Sequence, residues 1–120
     1  MATILIVDDS ETERQHLIKL LQAKHYQVVV AKSAEEGIAA ARETKPDVVL
    51  MDVVMPGMNG FQATRLLSKD SATANIPVVV ISSKDQETDR IWAERQGACN
   101  YLVKPVNKDD LYQVLVDILG

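Results

Sequence analysis

Side chains able to do chemistry stand directly after short apolar runs at four places in this 120-residue sequence. They are Asp8 and Asp9 after the first run, Asp52 after the third, Ser82 after the fourth and Lys104 after the fifth. The carboxyl ends of parallel strands meet at one edge of a sheet, where ligands bind in open α/β folds. If the runs are parallel strands, we expect these side chains to lie close together.

Such a cluster favours a divalent cation and phosphoryl transfer. Three neighbouring carboxylates repel one another unless a cation or a proton intervenes. Hard oxygen ligands without a nearby Cys or His favour Mg²⁺, and Ca²⁺ is less favoured because the EF-hand loop motif is absent. Lys104 adds a compact positive charge, and the Ser82 hydroxyl can donate a hydrogen bond. A carboxylate in this setting can act as the nucleophile and form an aspartyl phosphate.

Five β-branched runs alternate with segments of helical period, which predicts βαβ units and a parallel sheet. The first, third and fourth runs are apolar at consecutive positions, as in strands that are covered on both faces. The other two are shorter or more mixed and are expected at the edges. The runs occupy residues 4–7, 28–30, 48–51, 78–81 and 101–103.

Start and stop signals support the helices between these runs. Ser10, Ser33 and Ser83 each precede a Glu or Gln by three residues, which is the spacing of a capping box. Asn107 is a candidate N-cap for the last helix, and Gly97 is expected just after the end of the fourth.

Composition excludes several classes of protein. The net charge is −4, with no Lys/Arg cluster, which argues against nucleic acid as a partner. No apolar run approaches the roughly 18–20 residues of a membrane span, and no signal peptide is recognisable, so we expect a cytoplasmic protein without membrane insertion. The single cysteine, Cys99, excludes an internal disulfide and is expected to be small, apolar and buried.

Four motifs stand out along the chain: ILIVDDS at 4–10, PDVVLMDVVMPGMNG at 46–60, PVVVISS at 77–83 and YLVKP at 101–105. Together they resemble the CheY-like receiver domain of bacterial two-component response regulators, over essentially residues 1–120. The resemblance implies a flavodoxin-like, doubly wound α/β fold with a five-stranded parallel sheet in the order 2-1-3-4-5 and five helices on both faces.

The same resemblance implies a role for each site residue. Asp52 is the expected phosphoacceptor. Asp8 and Asp9 are the expected acidic pair for Mg²⁺, joined by Asp52 itself and by the backbone carbonyl of Val54. A histidine kinase or phosphotransfer protein would supply the phosphoryl group. The chain would catalyse only its own phosphorylation and dephosphorylation, so it is not expected to be an enzyme on other substrates.

Further expectations concern the switch. Ser82 and Lys104 would bind the phosphoryl oxygens, and Ser82 with Tyr101 would relay the change to a surface for a downstream protein target. The Lys104–Pro105 peptide bond is expected to be cis. Val54 and Lys84 occupy the positions where side chains are thought to tune dephosphorylation in this family, and Val54 offers no group to orient an attacking water.

The segments at 60–70 and 82–106 are similar to single-domain, PilH-like regulators of the type IV pilus (twitching motility) chemosensory system. We therefore expect a stand-alone receiver, since Gly120 directly follows the fifth predicted helix. Its output would be a protein contact, or it would act as a phosphate sink for a shared kinase.

Simpler interpretations and other functions remain open from sequence. Asp8 and Asp9 could cap the first helix, Ser82 could be a turn residue, Lys104 could be solvated and Tyr101 could be an ordinary strand aromatic. A haloacid-dehalogenase-like phosphatase would need a second acid at position 54, and an FMN binder would need a Ser/Thr-rich loop in place of the two acids. A receiver that binds partners without being phosphorylated is the remaining alternative.

Overall fold

Five strands and five helices alternate along the chain, and the computed structural model describes all of residues 1–120. The strands are β1 Thr3–Val7, β2 Gln27–Ala31, β3 Val48–Asp52, β4 Val78–Ser82 and β5 Asn100–Val103. The helices are α1 Glu11–Ala23, α2 Ala34–Thr44, α3 Gly60–Lys69, α4 Glu87–Arg95 and α5 Lys108–Leu119.

All neighbouring strands pair in parallel, in the order β2-β1-β3-β4-β5. This confirms the expected flavodoxin-like sheet, including its strand order. Every residue of β3 and β4 is buried, whereas β2 and β5 lie at the edges and are partly exposed. The continuous apolar runs therefore became the interior strands, because helices cover both of their faces.

Side chains alternate between the two faces of the sheet and build a core on each. On one face, Ile4 and Ile6 of β1 pack with Leu17 of α1 and Leu111 of α5. On the other face, side chains of β1 and β3 pack with small residues of α2 and α3, among them Leu5, Val7, Val49, Met51, Ala41 and Ala63. Helices thus lie on both faces, as predicted. None of them combines the length and the apolar character needed to cross a membrane.

Three predicted helix starts are confirmed and one is wrong. Ser10 and Ser33 accept the N–H of the third helical residue, at 3.3 and 3.1 Å, and Asn107 caps α5. Ser83 caps nothing, because the chain turns after β4 and α4 begins only at Glu87. Gly97 follows the last turn of α4 with φ +108°, as its position predicted.

Cys99 was expected to be buried. This prediction is wrong, because Cys99 is exposed in the turn before β5. Its backbone N–H donates to the carbonyl of Val78 at 2.9 Å, which pins the turn to the sheet. Backbone pairing therefore fixes Cys99 itself, while its neighbour Ala98 is buried in the core.

The start of α3 is held directly against the end of β3. The Gly60 N–H donates to the Val53 carbonyl at 2.9 Å. A Cβ atom on Gly60 would lie 1.9 Å from the carbonyl oxygen of Asp52, so no side chain fits there. This contact couples the helix to the strand end that carries a candidate site residue.

We expect Gly60→Ala to destabilise the protein by about 3 kcal/mol or more, because backbone atoms cannot yield as a flexible side chain can. The measurement is the free energy of unfolding in urea. Arg65→Ala, on the exposed side of the same helix, is the matched control and should change that free energy by less than about 0.5 kcal/mol. Equal stability of the two variants would contradict the assigned packing.

Candidate functional site

An ion-pair cluster occupies the carboxyl edge of the sheet. The Lys104 ammonium donates to Oδ1 of Asp52 at 2.9 Å and to Oδ2 of Asp8 at 3.2 Å. The two carboxylate side chains are only 7% and 2% exposed, and the lysine side chain is 16% exposed. Three separate strand ends thus bring their charged groups into one contact, as the carboxyl-edge argument predicted.

Asp9 completes an acidic cluster that opens to solvent. Asp8, Asp9 and Asp52 each place a carboxylate oxygen within 4.8 Å of the other two. Asp9 is exposed while its two neighbours are buried, so the cluster can be reached from one side. This donor set consists of hard oxygens only and fits Mg²⁺ with water or phosphate oxygens in the remaining positions. The single positive charge of Lys104 offsets only part of the negative charge of the three carboxylates, so the cluster can still attract a cation.

Asp8 is held by contacts on both its side chain and its backbone. The Ser10 N–H donates to Oδ1 of Asp8 at 2.9 Å. The guanidinium of Arg14, itself only 8% exposed, donates to the Asp8 carbonyl at 2.9 Å. Sequence reasoning missed Arg14; the signal was a cation on the otherwise apolar face of α1. Its contact orients the loop that carries both acids of the first strand end.

Burial and charge shift the ionisation of the central pair. Burial raises the pKa of Asp52, the like charge of Asp8 adds to the rise, and the hydrogen bond from Lys104 opposes it. Burial lowers the pKa of Lys104, but hydrogen bonds and charge from Asp52 and Asp8 outweigh it, so the net pKa is raised. The lysine therefore stays charged at neutral pH beside a carboxylate that is more basic than usual.

Ser82 lies on the strand next to that of Asp52, and Val54 lies in the loop that follows Asp52. Asp52 pairs with Ile81 in the sheet register, so Ser82 lies one residue further along the adjacent strand. Ser82 is buried, and its Oγ accepts the N–H of Lys84 at 3.1 Å. Val54 follows β3 in the next loop with its side chain 67% exposed.

Tyr101 connects β5 to the same loop as Ser82. The ring is 6% exposed, and its hydroxyl donates to the Lys84 carbonyl at 2.8 Å. The guanidinium of Arg90 covers the ring at 5.2 Å from its centroid. The Lys104–Pro105 peptide bond is cis. Tyr101 is therefore packed inward, one hydrogen bond away from the loop that positions Ser82.

The fold and this edge cluster agree with a known family. The family model for the response regulator receiver domain matches residues 4–116. The chain belongs to the response regulator receiver family. It is a CheY-like receiver of the kind found in two-component systems, and its acidic cluster lies at the carboxyl edge of the sheet.

The chain is also similar to individual receivers, both in sequence and in solved structures. It is similar to Protein PilH of Pseudomonas aeruginosa, with 54% identity over 120 residues that cover 100% of this chain and 99% of that protein. Protein PilG of the same organism is 32% identical over 108 residues, covering 90% of this chain and 80% of that protein. The solved structure of chemotaxis protein CheY4 of Vibrio cholerae superposes with a TM-score of 0.91 at 31% identity, covering 98% of each chain.

We expect metal-free Asp52→Asn receiver to be more stable than the wild type at pH 7. Because burial and Asp8 raise the pKa of Asp52 above its unfolded value, the ionised carboxylate destabilises the folded state. That penalty disappears as the pH falls through the folded-state pKa, so the difference between the two proteins should shrink on acidification. The measurement is the urea midpoint across pH in EDTA.

The control is Asp117→Asn, which removes an exposed carboxylate on α5, far from the cluster. It should leave the midpoint nearly unchanged at pH 7. An Asp52→Asn protein that is less stable than the wild type at pH 7 would contradict the electrostatic description of the site.

Proposed function

We propose that Asp52 accepts a phosphoryl group from the phosphohistidine of a histidine kinase or phosphotransfer protein. The observation that supports this most directly is the hydrogen bond from the Lys104 ammonium to Asp52, a buried carboxylate of raised pKa in the acidic cluster. In the reaction, an Asp52 oxygen attacks phosphorus, the P–N bond breaks, and its electron pair returns to the imidazole ring. The product is an aspartyl phosphate.

The roles of the surrounding residues follow from their positions. Asp8, Asp9, Asp52 and the backbone carbonyl of Val54 would hold Mg²⁺, whose charge offsets that of the transferring oxygens. Lys104 already reaches the acceptor carboxylate and would move to a phosphoryl oxygen.

Ser82 would carry the change outward. Its hydroxyl now accepts the Lys84 N–H, and turning to donate to a phosphoryl oxygen would alter that loop contact. The Tyr101 hydroxyl holds the carbonyl of the same residue, so the loop and the aromatic side chain would respond together. The surface formed by α4, β5 and α5 would then change its affinity for a downstream protein, with a typical coupling of about 1–3 kcal/mol.

The 54% identity to Protein PilH supports a place in a pilus chemosensory pathway, in the cytoplasm. The output would be a contact with a target protein, or removal of phosphoryl groups from a kinase shared with another receiver. Both outputs use the same Asp52 chemistry. Position 54, where a haloacid-dehalogenase-like phosphatase would carry its general acid, is valine, so hydrolysis of external phosphate esters is not part of the proposal.

We expect wild-type receiver incubated with acetyl phosphate and Mg²⁺ to gain about 80 Da in intact-mass spectrometry, the mass of one phosphoryl group. Asp52→Asn should gain nothing, because the nucleophile is gone. Lys104→Met should react at least about tenfold more slowly, because charge stabilisation in the transition state is lost. Asp117→Asn is the control and should react like the wild type. Equal labelling of Asp52→Asn would refute the proposed acceptor.

Mg²⁺ should stabilise the folded receiver through the acidic cluster. At a concentration ten times its dissociation constant, the expected gain is about 1.4 kcal/mol, measured as a shift of the urea midpoint. Asp9→Asn should lose most of this gain, since it removes the exposed ligand that opens the cluster to solvent. Asp117→Asn should keep it. A gain of equal size in Asp9→Asn would show that the ion binds elsewhere.

A further inference from the structure

A cleft of about 370 Å³ lies between α3 and α4, on a part of the surface that the proposed phosphoryl transfer does not use. We call it the α3–α4 groove. The side chain of Trp92 is 50% exposed beside it, and Phe61 is half-buried in its wall. Leu66, 47% exposed, extends the apolar surface along α3. The groove is lined by Asn59, Phe61, Gln62, Arg65, Trp92 and Gln96.

The charge of this groove is opposite to that of the protein as a whole. Arg65 is the only charged residue among its lining residues, and it takes part in none of the three ion pairs of the structure. Lys69 lies one helical turn beyond Arg65, and Arg95 lies one turn beyond Trp92, so both extend the positive charge. The chain as a whole has a net charge of −4.

The carboxylates of the two helices offset this charge only in part. The sequence of α3 contains no Asp or Glu. On α4, Glu87 and Glu94 line a different cleft, next to Cys99. Asp89 lies one turn before Trp92 and accepts the backbone N–H of Gln86, so it is the one acidic side chain of α4 on the same side as Trp92. The groove therefore offers an Arg65 side chain without an ion-pair partner in the same cleft as two aromatic side chains.

The walls of the groove are fixed before any partner binds. The Ser68 hydroxyl lies 2.9 Å from the Arg65 carbonyl of its own helix and 3.1 Å from the Gln96 carbonyl, so its one hydrogen is shared between a contact within α3 and a contact to the end of α4. Phe61 packs against a small cluster that contains Val53 and Ala93. A preformed groove loses little conformational entropy on binding, which favours affinity.

We propose that the α3–α4 groove binds an acidic peptide segment of a partner protein. An apolar side chain of that segment packs between Trp92 and Phe61, and a carboxylate pairs with Arg65. Exposed Trp and Arg side chains in a preformed cleft are the residues that most often dominate binding energy at protein interfaces. A nucleic acid does not suit the site, because it would bring its backbone charge to a net-acidic protein with only a few local cations.

The test uses a random 12-residue phage-displayed peptide library selected on the immobilised receiver. Trp92 is the single tryptophan of the chain, so its fluorescence reports directly on the groove. Selected peptides should be rich in Asp and Glu with at least one aromatic or large aliphatic residue. Synthetic copies should shift the Trp92 emission to shorter wavelength, and their affinity should fall as salt concentration rises.

Arg65→Glu keeps the fluorescent reporter and should weaken binding of these peptides at least tenfold. Lys19→Glu, an equal charge reversal on exposed α1 of the opposite face, is the matched control and should bind as the wild type does. The circular dichroism of both variants should match that of the wild type.

Three results would overturn the proposal. The first is selection of peptides without acidic residues. The second is unchanged affinity in Arg65→Glu. The third is a blue shift of Trp92 that depends on receiver concentration alone, which would mean that a second copy of the chain covers the groove. The Asp52→Asn receiver should bind the peptides with the same affinity as the wild type. Loss of peptide binding can therefore be distinguished from loss of phosphorylation.

Discussion

One lysine ammonium shared by two buried carboxylates is the interaction on which the site depends. Lys104 reaches Asp52 and Asp8 from a third strand end, and both acids are almost wholly removed from water. Burying charged groups is costly unless they are paired and hydrogen-bonded. Burial raises the pKa of Asp52, and the hydrogen bond from Lys104 opposes that rise. An ionised carboxylate is the condition for Asp52 to act as a nucleophile.

The surrounding fold holds those strand ends in register. Two apolar cores, one on each face of the sheet, fix the strands, and the loops that follow them carry the polar groups. Local contacts then set the positions of individual residues. Arg14 and the start of α1 hold Asp8, and Gly60 lets α3 approach the backbone of Asp52. Sites of this kind lower the stability of the folded protein, because charged groups have a lower free energy in water than in the protein interior.

A small third cluster connects the site to the surface. It contains Val53, next to Asp52, together with Tyr101 and Ala93, and Phe61 packs against it from α3. The wall of the α3–α4 groove and the inward-packed tyrosine therefore share neighbours with the strand end that bears Asp52. Packed interiors transmit such contacts because they contain little free volume.

Much of this arrangement was readable from the chain itself. β-branched runs predicted the strands, and Ser10, Ser33 and Asn107 predicted helix starts, because these signals depend only on residues close in sequence. The carboxyl-edge rule predicted that Asp8, Asp52 and Lys104 would meet. The lateral order of the strands came from the family resemblance, since spacing along a chain carries no information about which strand lies beside which.

Tertiary packing decided the remainder. Ser83 has a capping spacing but caps nothing, because the chain turns after β4 before the helix begins. Cys99 is exposed although its side chain is apolar, because backbone pairing places it on the outside of a turn. The groove beside Trp92 arises from residues about 30 positions apart, on α3 and α4. Sequence therefore determined which residues lie at the edge of the sheet, whereas burial, ion pairing and the surface between helices follow from contacts distant along the chain, which only the folded structure brings together.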